Sequence, residues 1–203
     1  MKRKFILPII FCLIITGCST SKKLNIWTKQ SNIDEVKKFE SELNPDSKFL
    51  DMNVSLSESI FPTVKEFDMA NPLIAPRGKT DFLPIYAEYF YSKPDSILRY
   101  VSYEWENNRY GNFNDKKKSW ENESTKLDEY DAEYNRIKFL LIEQFGLPKE
   151  QDVGPLKELS DHDIGGPNYY SRNTIWETNM RYMKLNMIFG GSTYRIRLYY
   201  YWK

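Results

Sequence analysis

From Met183 to the C-terminus the chain alternates with a period of two around one glycine turn. Met183, Leu185, Met187 and Phe189 interleave with Lys184, Asn186 and Ile188, and Gly190-Gly191-Ser192 follows. Tyr194, Ile196, Leu198, Tyr200 and Trp202 then interleave with Thr193, Arg195, Arg197, Tyr199 and Tyr201. A period of two sends successive side chains to opposite faces of a strand. Glycine tolerates positive φ, so the turn closes an antiparallel hairpin with one apolar face.

The same period recurs upstream. Ile85, Ala87, Tyr89 and Tyr91 alternate with Tyr86, Glu88 and Phe90. Past the turn Ser92-Lys93-Pro94-Asp95-Ser96, the run from Ile97 to Glu106 alternates again, which makes a second hairpin. A short strand is expected at residues 174–178 around Trp176. Between these blocks the period changes. Leu127, Tyr130, Tyr134, Ile137 and Leu141 step by three and four onto one helix face, and Gly146 and Pro148 end the helix. Thr125 and Asp128 form a candidate capping box.

These elements give an α+β fold. An antiparallel sheet of about five strands, in the order ββαβββ, carries one main amphipathic helix on one face, and the other face is polar or half covered. Residues 50–81, with Pro62, Pro72, Pro76 and Gly78, read as irregular chain, as do 107–123 and 150–173. A short helix is readable from Ile33, Val36, Phe39 and Leu43, ended by Pro45.

The N-terminus has a different character. Three cations, Lys2 to Lys4, precede an apolar run from Phe5 to Ile15, and Thr16-Gly17-Cys18 follows. That run is short of the roughly 20 residues a membrane-crossing helix needs, and the arrangement is that of an export signal. Ile15-Thr16-Gly17-Cys18 resembles the lipobox of bacterial lipoprotein precursors. The resemblance implies cleavage before Cys18 and acylation of its sulfur, where a thiolate is the nucleophile. Cys12 falls in the discarded core. The expected organisation is a signal peptide over 1–17, a tether with a possible short helix over 18–50, and one domain over 51–203. Ser19, where the enteric pattern places Asp for inner-membrane retention, leans the expected location toward the outer membrane.

Removing Lys2, Arg3 and Lys4 leaves 26 basic residues against 28 acidic ones. That balance argues against nucleic acid as a partner. No cysteine follows Cys18, so thiol catalysis and cysteine-ligated metals are excluded downstream of it. The expected partners are the membrane, through the lipid, and an envelope protein or polymer. No cofactor or metal is expected.

His162, the chain's single histidine, lies between Asp161 and Asp163 and after Ser160. A metal site or a Ser-His-Asp relay would use these residue types, but sequence neighbours rarely converge on one centre and an exposed loop residue is the preferred reading. Calcium at Asp161 and Asp163, or at Asn112 to Asp115, lacks the EF-hand spacing. Glu104 and Glu106 share a strand face about 7 Å apart, a separation open to an inverting glycosidase but common on any solvent-facing strand. The last strand offers more. Arg195, Arg197, Tyr199 and Tyr201 form a cationic-aromatic row, and these are residue types enriched at contact hot spots. The row either meets a partner or ligand or lies across the sheet to pair with Glu88 or Glu104.

The reading is therefore a lipid-anchored, non-enzymatic envelope protein that binds a partner. The alternatives are a small-ligand module for a sugar or lipid, and a hydrolase using carboxylates or His162. A helix followed by Phe145-Gly146-Leu147-Pro148 and three antiparallel strands is similar to small outer-membrane assembly lipoproteins, over about a third of the chain and by architecture alone.

Overall fold

The computed structural model describes residues 24–160 and 168–203. The leader, both cysteines, and His162 with Asp161 and Asp163 lie outside them. Eight strands form one antiparallel sheet: β1 Leu73–Lys79, β2 Pro84–Tyr91, β3 Leu98–Trp105, β4 Glu150–Gln151, β5 Glu158–Leu159, β6 Tyr169–Glu177, β7 Arg181–Gly190 and β8 Thr193–Trp202. Their order is β1-β2-β3-β8-β7-β6, with β4 and β5 both paired to the outer edge of β6. Three helices accompany them: α1 Ile33–Leu43, α2 Phe113–Glu123 and α3 Leu127–Phe145.

The α+β class and the antiparallel sheet agree with expectation, but five strands and one helix do not. Each extra element has a local reason for escaping the pattern. In β1, Pro76 and Gly78 read as breakers. β1 is the sheet's first strand, where proline's missing N–H is tolerated, and the pairing with β2 slips between Pro76 and Lys79, with Gly78 at φ +76° inside the slip. β4 and β5 have two residues each, too few to show a period. β6 begins five residues before the expected Thr174 because an arginine occupies an inward position. Arg172 is buried there, with Nε 2.5 Å from Asp131 Oδ1. α2 has no apolar stripe. It is set by its cap, where Asn112 Oδ1 accepts from the Asp115 amide at 3.0 Å.

α3 supplies the main cover. Tyr130, Tyr134, Ile137 and Leu141 are buried in one cluster with Met183, Leu185, Met187 and Phe189 of β7 and Ile196, Leu198 and Tyr200 of β8. Tyr134 also shares a hydrogen bond with Thr174 at 2.7 Å. The expected capping box at Thr125 and Asp128 is absent. The α2–α3 link is instead tied by Glu123, whose Oε1 accepts from Lys126 and whose Oε2 accepts from Tyr130. At the far end Gly146 takes φ +83°, and its carbonyl accepts from Trp176 Nε1 at 2.9 Å.

Residues 24–50, read from sequence as tether, lie on the domain. Ile33, Val36 and Glu40 of α1 are buried, Leu24, Ile26 and Trp27 pack on the same core, and the Trp27 amide donates to Tyr103 at 2.7 Å. The domain therefore includes residue 24 onward rather than starting at 51. Polar residues on the outer side of α1 hid this docking, since a short amphipathic helix reads the same whether it docks or not.

The sheet's second face has a smaller core. Phe61, from the irregular stretch before β1, is buried with Phe90 and Tyr100, its ring 5.2 Å from that of Tyr201. This face is thus partly covered, by chain whose one regular piece is a short 3-10 helix, Val64–Glu66, and the outward residues of β7 and β8 stay half-buried.

The β7–β8 turn places Gly190 at φ +141°, where a Cβ would stand 2.7 Å from the Asn168 carbonyl oxygen. Gly190→Ala is expected to cost about 1–3 kcal/mol, because both the backbone angle and the close approach require glycine. Thermal unfolding checks this, and an unchanged midpoint would contradict the turn geometry.

Candidate functional site

The row on β8 exists as read, but its members have different roles. In the ladder Arg197 stands between Glu104 of β3 and Asn186 of β7, Tyr199 between Ser102 and Lys184, and Tyr201 between Tyr100 and Tyr182. Arg197 Nε donates to Glu104 Oε1, and its side chain keeps 12 % exposure beside a Glu104 side chain that has none. Ser102 Oγ donates to the same carboxylate oxygen at 2.6 Å.

Arg109, from the loop after β3, arches over this pair. Its Nε lies 2.5 Å from Glu88 Oε1, its Nη1 2.9 Å from Glu106 Oε2 and its Nη2 3.7 Å from Glu104 Oε1. Tyr110 adds a hydroxyl donated to Glu88 at 2.5 Å. One guanidinium thus holds three carboxylates and pins the loop to the sheet.

The two buried carboxylates respond in opposite directions. Burial pushes the Glu104 carboxyl up, but Arg197, Arg109 and Arg195 outweigh burial and hold it down at about 2. Burial and the charge of Glu104 raise Glu88, against the pull of Arg109 and Tyr110. Opposed carboxyls of this kind are a pattern found in acid–base enzymes. Here, however, Arg109 and Tyr110 close over them and both are buried. Glu104 and Glu106 likewise meet through Arg109 rather than across a cleft. The arrangement ties β2, β3, β8 and the loop together and leaves no room for a substrate between the carboxylates.

Arg195 is the uncommitted cation of the row. It makes no ion pair among the described residues, and its Nε is buried without a partner. Burial and the neighbouring charge of Arg197 push its pKa below the ordinary value. At the other end of the row, where its ladder partner is Tyr201, Tyr182 stacks on Tyr201 with ring centroids 5.2 Å apart and lies 6.2 Å from Tyr199. Lys184 and Asn186 extend this half-buried strip along β7. Reading from sequence missed Tyr182, Lys184 and Asn186. Their alternation was visible, but only the strand order shows that β7 lies next to β8. Arg109 carried no signal, because it sits in a loop.

Asn112 and Asp115 work as the α2 cap. Among the described residues no group of three or more His, Cys, Asp or Glu side chains is placed to hold a metal. Among them, too, no helix is long and apolar enough to cross a membrane. No protein family, curated protein or solved structure matches this chain.

Proposed function

We propose that the chain is a lipid-anchored protein of the bacterial cell envelope, held through Cys18 to the outer rather than the inner membrane, which uses its half-open sheet face to bind an envelope protein or polymer. The lipobox resemblance supports the anchor. The strip of Tyr182, Lys184, Asn186, Arg195, Tyr199 and Tyr201 supports the binding role. It joins stacked phenol rings, amide groups and an unpaired guanidinium on rigid strands, where few side chains lose freedom on contact. The closure of Glu88 and Glu104 beneath Arg109 removes these two carboxylates as a hydrolytic pair and so favours binding at this face.

A second reading, a small-ligand module for a lipid or sugar, draws on a groove of about 510 Å³ between residues 53–58 and 64–71, lined by Val54, Leu56, Phe67, Met69 and Phe90. Its volume falls in the range of small-molecule sites.

Arg197 is unsuited to a binding test, because its loss would strand Glu104. A photo-crosslinking residue at position 182, in intact cells, is the better probe, with position 143 on the exposed side of α3 as control. The partner reading predicts a discrete macromolecular adduct from 182, lost when Arg195 is replaced by Gln, and none from 143. A small-ligand module predicts no such adduct at either position.

A further inference from the structure

The outer face of β7 and β8 carries two cations that the fold leaves without an anion. Lys184 and Arg195 make no ion pair among the described residues, and the Nε of Arg195 is buried without a partner. The carboxylates that share this face are all taken. Glu104 holds Arg197, Glu88 and Glu106 hold Arg109, Glu150 lies 3.8 Å from Lys149, and Glu177 holds both Lys149 and Lys203. A partly buried cation with no anion in contact is costly to keep charged. For Arg195, burial and the charge of Arg197 act against the guanidinium more strongly than Glu104 and Glu106 support it. An anion arriving from outside removes that cost.

Spacing sets the size of the anion. Arg195 stands opposite Ile188 in the ladder, and Lys184 stands opposite Tyr199. The two cations are therefore four residues apart along the strands and one strand apart across them, roughly 14 Å. A small acid meets one of them, and a chain with repeated acid groups meets both. The rest of the strip says what kind of chain. β7 is paired to β6 and β8, and β8 to β7 and β3, so neither strand has an open edge for an added peptide strand. Recognition falls to side chains, namely the half-buried phenols of Tyr182, Tyr199 and Tyr201 and the carboxamide oxygen of Asn186. Phenol hydroxyls donate and accept, and a carboxamide oxygen accepts, so both suit a hydroxyl-rich chain. Tyrosine also joins an apolar body to a polar tip, which matches the mixture of C–H and hydroxyl groups on a sugar ring.

Resting on the binding role of the strip proposed above, we infer that its occupant is an acidic polysaccharide, with acid groups on Arg195 and Lys184 and sugar hydroxyls on the three phenols and Asn186. The guanidinium takes its acid group through a charge-assisted fork, and the ammonium takes the next as a point charge.

The test uses residues 18–203 with Cys18→Ser, which removes the lipid anchor. Calorimetric titration with polygalacturonate presents repeated carboxylates on a hydroxyl-rich chain. Galacturonate monomer, neutral dextran and polyglutamate are the comparisons. Saturable binding to polygalacturonate is expected, about tenfold or more tighter than to the monomer or to polyglutamate, and none to dextran. Arg195→Gln should weaken it about tenfold, the size of one charge-assisted hydrogen bond, and Lys184→Gln severalfold at an unchanged urea midpoint. No saturable binding to polygalacturonate, or binding that survives both substitutions together, overturns the proposal. Polyglutamate bound as tightly as polygalacturonate overturns it too, and assigns the face to an acidic peptide. The crosslink from position 182 in intact cells separates this proposal from the role of the strip. An Arg195-dependent protein adduct without polygalacturonate binding keeps the strip as a binding face and removes the polysaccharide, whereas neither adduct nor binding removes both.

Discussion

Glu104→Gln is expected to destabilise the domain by about 3–5 kcal/mol, the cost of removing one partner from a buried ion pair. The glutamine keeps the size of the side chain but not its charge. Arg197 then faces Arg195 and Arg109 on the same sheet face with no anion in contact, since Glu88 and Glu106 are taken by Arg109. Urea unfolding at neutral pH measures the loss. Glu88→Gln provides the contrast. Its carboxyl is raised by burial and by Glu104, so its charge is held at a disadvantage and replacement should change stability by only about 1 kcal/mol.

The two also differ in pH dependence. The folded value of Glu104, about 2, lies below its unfolded value. Its contribution is complete above the unfolded pKa of about 4.3 and is lost as pH falls toward 2. Glu88 has a raised folded value, so its protonation favours the fold. Its contribution is full below the unfolded pKa and disappears as pH rises through the folded one. In the parent the two oppose each other on acidification. In Glu88→Gln only the loss from Glu104 remains, so acid unfolding should begin at a higher pH. Equal stability of Glu104→Gln and parent would contradict the account of this network.

Arg77→Ala is the second large expected loss, again about 3–5 kcal/mol, with an effect concentrated on α1. Arg77 Nε lies 2.9 Å from Glu40 Oε2, and Nη2 also pairs with that carboxylate, whose residue is 3 % exposed. The guanidinium stands 4.9 Å from the Tyr103 ring centroid and 5.5 Å from that of Phe39, and it donates to the Asn25 carbonyl. Tyr89 donates to Glu40 as well. One side chain of β1 thus fastens the chain at Asn25 and the middle of α1 to the sheet. Without it, Glu40 is an unpaired charge beside two buried phenols. Hydrogen exchange should show the α1 amides of residues 36–43 losing protection ahead of the sheet, together with a lower urea midpoint. Lysine at 77 should not restore it, because an ammonium lacks the planar fork that meets both carboxylate oxygens and lies flat on rings. Intact α1 protection in Arg77→Ala would show that apolar contacts of Ile33 and Val36 alone hold the helix.

The sequence was most legible where one local pattern decided the structure. The α3 stripe with Gly146, and the β7–β8 alternation around Gly190, each needed only periodicity and turn chemistry. β1 and α2 were illegible for opposite reasons. β1 carries prolines and a glycine that only its place at the start of the sheet and its slipped register accommodate. α2 lays a single apolar side chain, Trp120, on the core, too few to show a period, and otherwise stands on its cap and on Glu123. Arg172 masked the start of β6, because an inward arginine breaks alternation unless its partner Asp131 is known. The candidate strip was half legible. Tyr199, Tyr201, Arg195 and Arg197 were visible as a row, but whether an arginine in it meets a partner or a buried glutamate depends on register between strands far apart in sequence. Register made Arg197 a structural residue and left Arg195 free. The same cause hid Tyr182 and Lys184, whose nearness to the row comes from pairing rather than from their own alternation.

The lipid tether is the claim on which the placement of the sheet strip in the cell envelope depends, and mass spectrometry of the native protein tests it most directly. The account predicts an N-terminal peptide that begins at Cys18 and carries a diacylglyceryl mass on the sulfur. A peptide that runs unbroken through Gly17 and Cys18 with a free thiol would contradict it.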